Sequence, residues 1–136
     1  MIVPLTAQDI QEVAELWYLE KPKTCFGGLV CDWTAQGCGD FIKEVLDNPQ
    51  YHMVCTRRDT ITGVCGVMLG KMIVPPHLDI VTEWMWFGSQ TKDMVSCLQE
   101  CLAWGTSHGA ILGQYGINQK QSHPHKFIET YQWRVL

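Results

Sequence analysis

The stretch EWMWFGSQTKDMVSCLQECLAW, residues 83–104, reads as an aromatic strand running through a short turn into an amphipathic helix. Trp84 and Trp86 are two apart, so an unbroken strand points both to one sheet face and Met85 to the other. Both faces of the strand are then apolar, as in a central strand covered by helices on both sides. Beyond the turn, Met94, Cys97, Leu98, Cys101, Leu102 and Gly105 share one side of a helix that runs to about Ser107. A corner of this kind is a natural anion site, because free backbone N–H groups meet the positive end of the helix dipole. Such corners usually carry glycine, yet none lies between Gly88 and Gly105.

Working towards the N-terminus, Ile80 to Phe87 is the strand itself, preceded by a connector punctuated by Pro75 and Pro76. Tyr51 to Thr56 and Ile61 to Leu69 form a hairpin around a polar turn, and Gly63 and Gly66 mark a bulge or a close backbone approach in its second strand. The start, MIVPL, is a short strand. A first helix follows in TAQDIQEVAELWYLE, with Ile10, Val13, Ala14 and Trp17 at helical spacing behind Thr6 or Asp9 as cap. Lys21 to Gly39 holds four glycines and a proline without sustained period and reads as a long loop, and DFIKEVLDN supplies a short second helix. Towards the C-terminus, AILGQYGI is a strand, HPHKFIETY a short helix and WRVL a closing strand. This order predicts an α/β (α+β) chain, residues 1–136 as one domain, with a mixed central sheet between helices.

Composition narrows the partners. The 136 residues carry a formal charge of −4 and only ten scattered Lys and Arg, which offers no footprint for nucleic acid or an anionic membrane surface. No basic, apolar leader opens the chain and no segment reaches the roughly 18 apolar residues of a span, so a cytoplasmic protein is expected. Seven cysteines form an odd set without a C-x-x-C pair, which favours reduced thiols and no metal site. His123 and His125 flank a proline without an accompanying ligand cluster. No G-x-S-x-G elbow is present, and a Cys–His nucleophile pair leaves no spacing signature.

With that element order on the page, Glu83 to Trp133 resembles the core of the GNAT acyl-CoA N-acyltransferases. EWMWFGSQTKDMVSCL lies on the family's fourth strand and its Q/R-x-x-G-x-G/A loop, with Gln90 at the first position; KFIETYQW lies on its F-Y-E-x-x-G-F end. The resemblance implies a GNAT-like, mostly antiparallel sheet flanked by helices on both faces. It places the cofactor-binding positions at Trp86, Gln90, Lys92, Asp93, Val95 and Ser96, and implies acetyl-CoA as the cofactor of an active member. Glu83 falls where the family keeps its general base. The family's acid tyrosine position is Ile128, which cannot donate a proton, and Tyr131 lies three residues on along the expected helix. Chains of this layout with a Ser122-His123 … Lys126-Phe127 ending also resemble small internal virion or morphogenesis proteins of short-tailed phages.

Two family glycines are replaced, by Asp93 and Val95. Glycine there leaves bare backbone for a diphosphate. A carboxylate about 4 Å from a phosphate charge costs on the order of 4 kcal/mol at an effective dielectric near 20, which approaches a thousandfold in affinity. The leading expectation is therefore a catalytically degenerate GNAT-like pseudoenzyme that binds no cofactor and works through a protein partner in a host cytoplasm or a phage virion, with Trp33 as a contact. An active N-acetyltransferase holding acetyl-CoA through Gln90, Lys92 and Ser96, with Glu83 and Tyr131 catalytic, is the alternative. A module using the same cleft for another small ligand is the third.

Overall fold

The computed structural model describes residues 1–24, 34–120 and 127–136, with backbone only for 21–24, 117–120 and 127–132. Trp33 lies outside the described residues.

Six strands form one sheet in chain order: β1 (Ile2–Pro4), β2 (Tyr51–Arg57), β3 (Ile61–Lys71), β4 (Asp79–Gly88), β5 (Leu112–Lys120) and β6 (Phe127–Val135). Every neighbouring pair is antiparallel except β4 and β5, which are parallel. The parallel crossover is made by α3 (Thr91–Ser107), while α1 (Ile10–Thr24) and α2 (Ala35–Val45) cover the opposite face. The mixed, mostly antiparallel sheet between helices is therefore as the residue pattern predicts.

The polar residues that start the helices do so by capturing amides. Thr6 donates its backbone N–H and its hydroxyl to Asp9 Oδ2 at 2.9 and 3.0 Å, which opens a short 3-10 turn (Ala7–Asp9) leading into α1. Thr34 Oγ1 accepts the Gly37 amide at 2.9 Å and so begins α2 five residues earlier than the Asp40 suggested by the pattern. α1 likewise runs on to Thr24, past Glu20, through KPKT. Arg57 joins Asp9 and Glu12 at 2.9 Å each, and Glu12 also accepts the Ile61 amide at 2.9 Å, so the start of α1 is tied to the β2–β3 turn.

Two cores result. Val13, Trp17, Ile42, Val64, Met85 and Phe87 fill the space beneath α1 and α2. Cys65, Val67, Val81, Cys97, Leu98 and Cys101 fill the space beneath α3. Strand β4 contributes to both, as its two apolar faces require. Cys97 and Cys101 lie together on the buried side of α3. Burial pushes Cys55 and Cys97 up to about 11 and Cys65 well above the usual thiol value. At neutral pH these are protonated thiols that pack as small hydrophobes.

The C-terminal segment departs from expectation. Phe127–Val135 is a strand paired with β5 along its whole length, from Lys120↔Phe127 to Leu112↔Val135, where a short helix over HPHKFIETY had been expected. The physical reason is legible afterwards: Phe127, Tyr131, Trp133 and Val135, with Ile128 and Thr130 between, are aromatic and β-branched residues suited to a pleated ladder. Tyr131 therefore sits opposite Gly116 in a strand. A shared helical face with Ile128 no longer links it to the family's acid position.

Strand β3 approaches the backbone of α3 closely at Gly63, where a Cβ would lie 2.8 Å from the Asp93 carbonyl carbon and 2.9 Å from the Met94 nitrogen. Gly63→Ala should therefore push α3 off the sheet and cost roughly 1–3 kcal/mol. Gly70→Ala meets nothing within 4 Å and should stay within about 0.5 kcal/mol of the parent. Urea unfolding of the two variants beside the parent checks both outcomes.

Candidate functional site

Strand β4 loses one neighbour halfway along. It pairs with β5 only over Ile80↔Leu112, Val81↔Gly113 and Thr82↔Gln114. From Glu83 onwards, among the described residues, β4 keeps its β3 partner and has none on the β5 side, while β5 continues along β6. The two strands thus fork, and Glu83 is the first residue beyond the last shared rung.

The fork begins at a bulge. Gly66 pairs with Met85 and Val67 with Glu83, so Trp84 is an extra residue on β4. It reverses the alternation from that point. Trp84 packs with the α1/α2 core and Trp86 with the α3 core, which corrects the expectation that the two tryptophans share a face. Gly66 makes room for the displaced indole, since a Cβ there would be 2.8 Å from Trp84 Cζ2. Glu83, opposite Val67, belongs to the α3 side together with Trp86 and Tyr115.

Trp86 closes part of the fork. Its Nε1 donates to the Met94 carbonyl at 2.7 Å, and its ring stands edge-on to Tyr115 with centroids 6.2 Å apart. The indole is thereby fixed between the first turn of α3 and the diverging β5.

At the mouth of the fork, the β4–α3 turn is fastened to β3. Thr62 O accepts the amides of Ser89 and Gln90 at 3.0 and 3.1 Å. The N-cap position is Gln90, which supplies no side-chain bond. The first-turn amides of Thr91, Lys92 and Asp93 consequently have no intrahelical acceptor. Asp93 turns inward: its Oδ2 accepts from Thr62 Oγ1 at 2.6 Å and from Arg58 Nε at 3.4 Å, and Thr56 Oγ1 lies 3.0 Å from Thr62 Oγ1 behind it. The Thr62 hydroxyl and then Arg58 hold the Asp93 carboxyl below its ordinary value.

The sequence-predicted positions therefore separate into groups. Gln90 and Lys92 are exposed at the helix start, Asp93 is spent internally, and Val95 stands on the helix surface at 39% exposure. Ser96 donates its hydroxyl to the Lys92 carbonyl at 2.9 Å, a bond internal to the helix. The Asp93 carboxylate is directed at Thr62 and Arg58 rather than at the approach to the helix end. Thr62, Arg58 and Tyr115 were missed, because their contacts join residues 31, 35 and 29 positions from their partners and no local spacing announces them. Among the described residues no cluster of His, Cys, Asp or Glu has the arrangement of a metal site, and no helix is long and apolar enough to cross a membrane.

No protein-family model matches the sequence, and no curated protein matches it either. Solved structures do. The ribosomal-protein-alanine N-acetyltransferase of Brucella melitensis superposes with a TM-score of 0.70 over 100% of this chain and 99% of its own, at 9% identity. A transcriptional regulator from Bacillus halodurans gives 0.68 over 89% and 83% at 10% identity. The PaiA N-acetyltransferase of Thermoplasma acidophilum, solved in complex with coenzyme A, gives 0.60 over 90% and 81% at 13% identity. At these identities the likeness is one of fold, and the fold is that of the GNAT acetyltransferases.

The Asp93 tie predicts an acid-sensitive stability. A carboxyl whose folded value lies below the unfolded 3.8 stabilises fully above the unfolded value and loses that contribution as pH falls through the folded one. Asp93→Asn should lower the melting temperature at neutral pH and flatten its decline between about pH 4 and pH 2. Parallel melting curves of parent and variant across that range test it.

Proposed function

Starting from a GNAT fold, we propose that this chain binds an acyl-CoA in the β4–β5 fork and transfers the acyl group to an amine, with Glu83 as the base. The observation that carries the proposal is the fork itself, a parallel ladder ending after Thr82↔Gln114 with Glu83 at the parting and the start of α3 at the mouth. Unpaired strand edge is suited to an extended chain bearing amides, which the pantetheine arm of coenzyme A is. Exposed Gln90 and Lys92, with the unengaged amides of Thr91 to Asp93, suit its phosphates. The PaiA protein, of the same fold, was solved with coenzyme A.

Acyl-CoA supplies an activated acyl group when bound. The chain's own residues have two tasks: Glu83 takes a proton from the acceptor amine, and the apolar surroundings of the fork, including Trp86 and Tyr115, keep water from the reacting centre. Tyr131, on β6 opposite Gly116 of the diverging β5, is the candidate donor of a proton to the departing thiolate.

A second function has its own support in the Trp86–Tyr115 contact across the fork and in the commitment of the Ser89 and Gln90 amides to Thr62. Both features favour a chain that has lost acyl transfer. Such a chain works through protein contacts, as a phage morphogenesis or virion factor with Trp33 as an anchor, or holds a different small ligand in the fork.

Thermal melting with millimolar acetyl-CoA separates the two. Occupancy at about 100 times Kd adds about 2.7 kcal/mol, so acyl-CoA binding should raise the melting temperature by several degrees, and Lys92→Glu should reduce that rise. Glu83→Gln should keep the rise while lowering acceptor-dependent release of free thiol by roughly a hundredfold. An unchanged melting temperature would overturn the acyl-CoA proposal and leave the contact function.

A further inference from the structure

Glu83 has a counterpart on the other strand of the fork. The last shared rung joins Thr82 to Gln114, so Tyr115 is the first residue of β5 beyond the parting, as Glu83 is the first of β4. Neighbouring strands run about 4.8 Å apart at a shared rung, which sets these two residues side by side where the gap begins to open.

Two such residues can serve one reaction only from the same face of the sheet, and the contacts of their neighbours fix that face. Val81, two residues before Glu83, lies under α3, since a Cβ at Gly105 would be 2.6 Å from Val81 Cγ1. Gly113, two residues before Tyr115, lies under the same helix, since a Cβ there would be 2.8 Å from Leu102 Cδ2. Residues two apart on an unbroken strand share a face, so Glu83 and Tyr115 both belong to the α3 side. The Tyr115 ring agrees, standing edge-on to Trp86 and packing on the α3 core. Among the described residues its hydroxyl has no hydrogen-bond partner, and it is not one of the buried atoms left unpaired, so it is accessible. Tyr131 is placed differently. It pairs with Gly116, and paired residues share a face, so its position belongs to the face away from Glu83.

Resting on the acyl-CoA reading of the fork, we propose that Tyr115, in place of Tyr131 or the family's position at Ile128, is the acid of the transfer and donates its phenolic proton to the departing sulfur. Glu83 takes the proton of the amine as the nitrogen–carbon bond forms. Tyr115 gives its own to sulfur as the carbon–sulfur bond breaks. Glu83 then releases its proton to solvent, from which the phenolate is reprotonated, and both residues return to their starting forms. The contact with Trp86, itself fixed to the Met94 carbonyl, holds the phenol ring at the fork.

The test compares equilibrium binding of coenzyme A and of desulfo-coenzyme A, in which hydrogen replaces the thiol, to the intact parent, Tyr115→Phe and Tyr131→Phe by calorimetry. Phenylalanine keeps the ring against Trp86 and removes only the hydroxyl. At about pH 9, above the roughly 8.5 of an ordinary thiol, the preference for coenzyme A over the desulfo probe should be about tenfold greater in the parent and Tyr131→Phe than in Tyr115→Phe, because an ionised acceptor strengthens the bond. Near neutral pH the difference should shrink to a few-fold. A ring that serves only packing would give no such dependence on sulfur or on pH. In the parent labelled at tyrosine ¹³Cζ, the Tyr115 signal should move with coenzyme A and stay in place with the desulfo probe; it is identified by its loss in Tyr115→Phe, or by sequential assignment should that variant not fold. A preference unchanged in Tyr115→Phe, one lost in Tyr131→Phe instead, or a Tyr115 signal indifferent to the sulfur would overturn this assignment and leave acyl-CoA binding standing. Failure of the parent to bind either probe would overturn the acyl-CoA function itself, and the assignment with it.

Discussion

One surplus residue in a strand organises this molecule. Trp84 has no partner on β3, because Gly66 already pairs with Met85 and Val67 with Glu83. A bulge increases the local twist and bends its strand, and here β4 leaves β5 within a residue of it. The same displacement sends Trp84 beneath α1 and α2 and Trp86 beneath α3. The fork and the opposite facing of the two indoles therefore share one cause. Gly66 is what makes it sterically feasible, by leaving the indole a place against bare backbone.

The second constraint is the seam where α3 meets the sheet. Gly63 and Gly88 bring three backbones together, so closely that a Cβ at Gly88 would lie 2.3 Å from the Thr62 carbonyl oxygen. That oxygen accepts two turn amides, and the Thr62 hydroxyl donates to the Asp93 carboxylate. The negative charge sits in the first helical turn, where the helix dipole favours it, and is matched by Arg58 rather than directed at the helix approach. Arg58 is largely solvent-exposed, and at 3.4 Å its pair with Asp93 adds little by itself; the buried hydroxyl contact matters more, since breaking it strands polar atoms in the core. A substitution that looks from its position in a motif like damage to an anion site is, in three dimensions, part of the joint that fastens the helix.

A surface contact on the α3 side shows the same distinction on a smaller scale. His52 of β2 stacks on Trp104 of α3 at 4.8 Å and 7°, and Trp104 also meets His108. Partial burial, with His108 nearby, lowers the His52 value despite the attraction of Glu100. The neutral imidazole is the form that packs there, and nothing in the spacing of residues 52 and 104 foretells the pairing.

The elements were legible from the chain because they depend on near neighbours: the apolar runs of β2 and β3 about a polar turn, the apolar side of α3, the cap signal of Thr6, and the glycines marking close approach. The family's outline could be read from their order. What the chain could not disclose was anything decided by a partner far away in sequence. The strand at Phe127–Val135 took its form from an available β5 edge, overriding the helix expected over HPHKFIETY. The opposite facing of Trp84 and Trp86 was set by a register shift against β3, which a period-two count cannot contain. The orientation of Asp93 was set by Thr62, 31 residues away. Apart from β6, local sequence determined which segments are helix or strand, through torsional preference and periodic burial; tertiary packing decided the form of that last strand, where the strands part and which way the polar groups at the parting face, because those are properties of pairs.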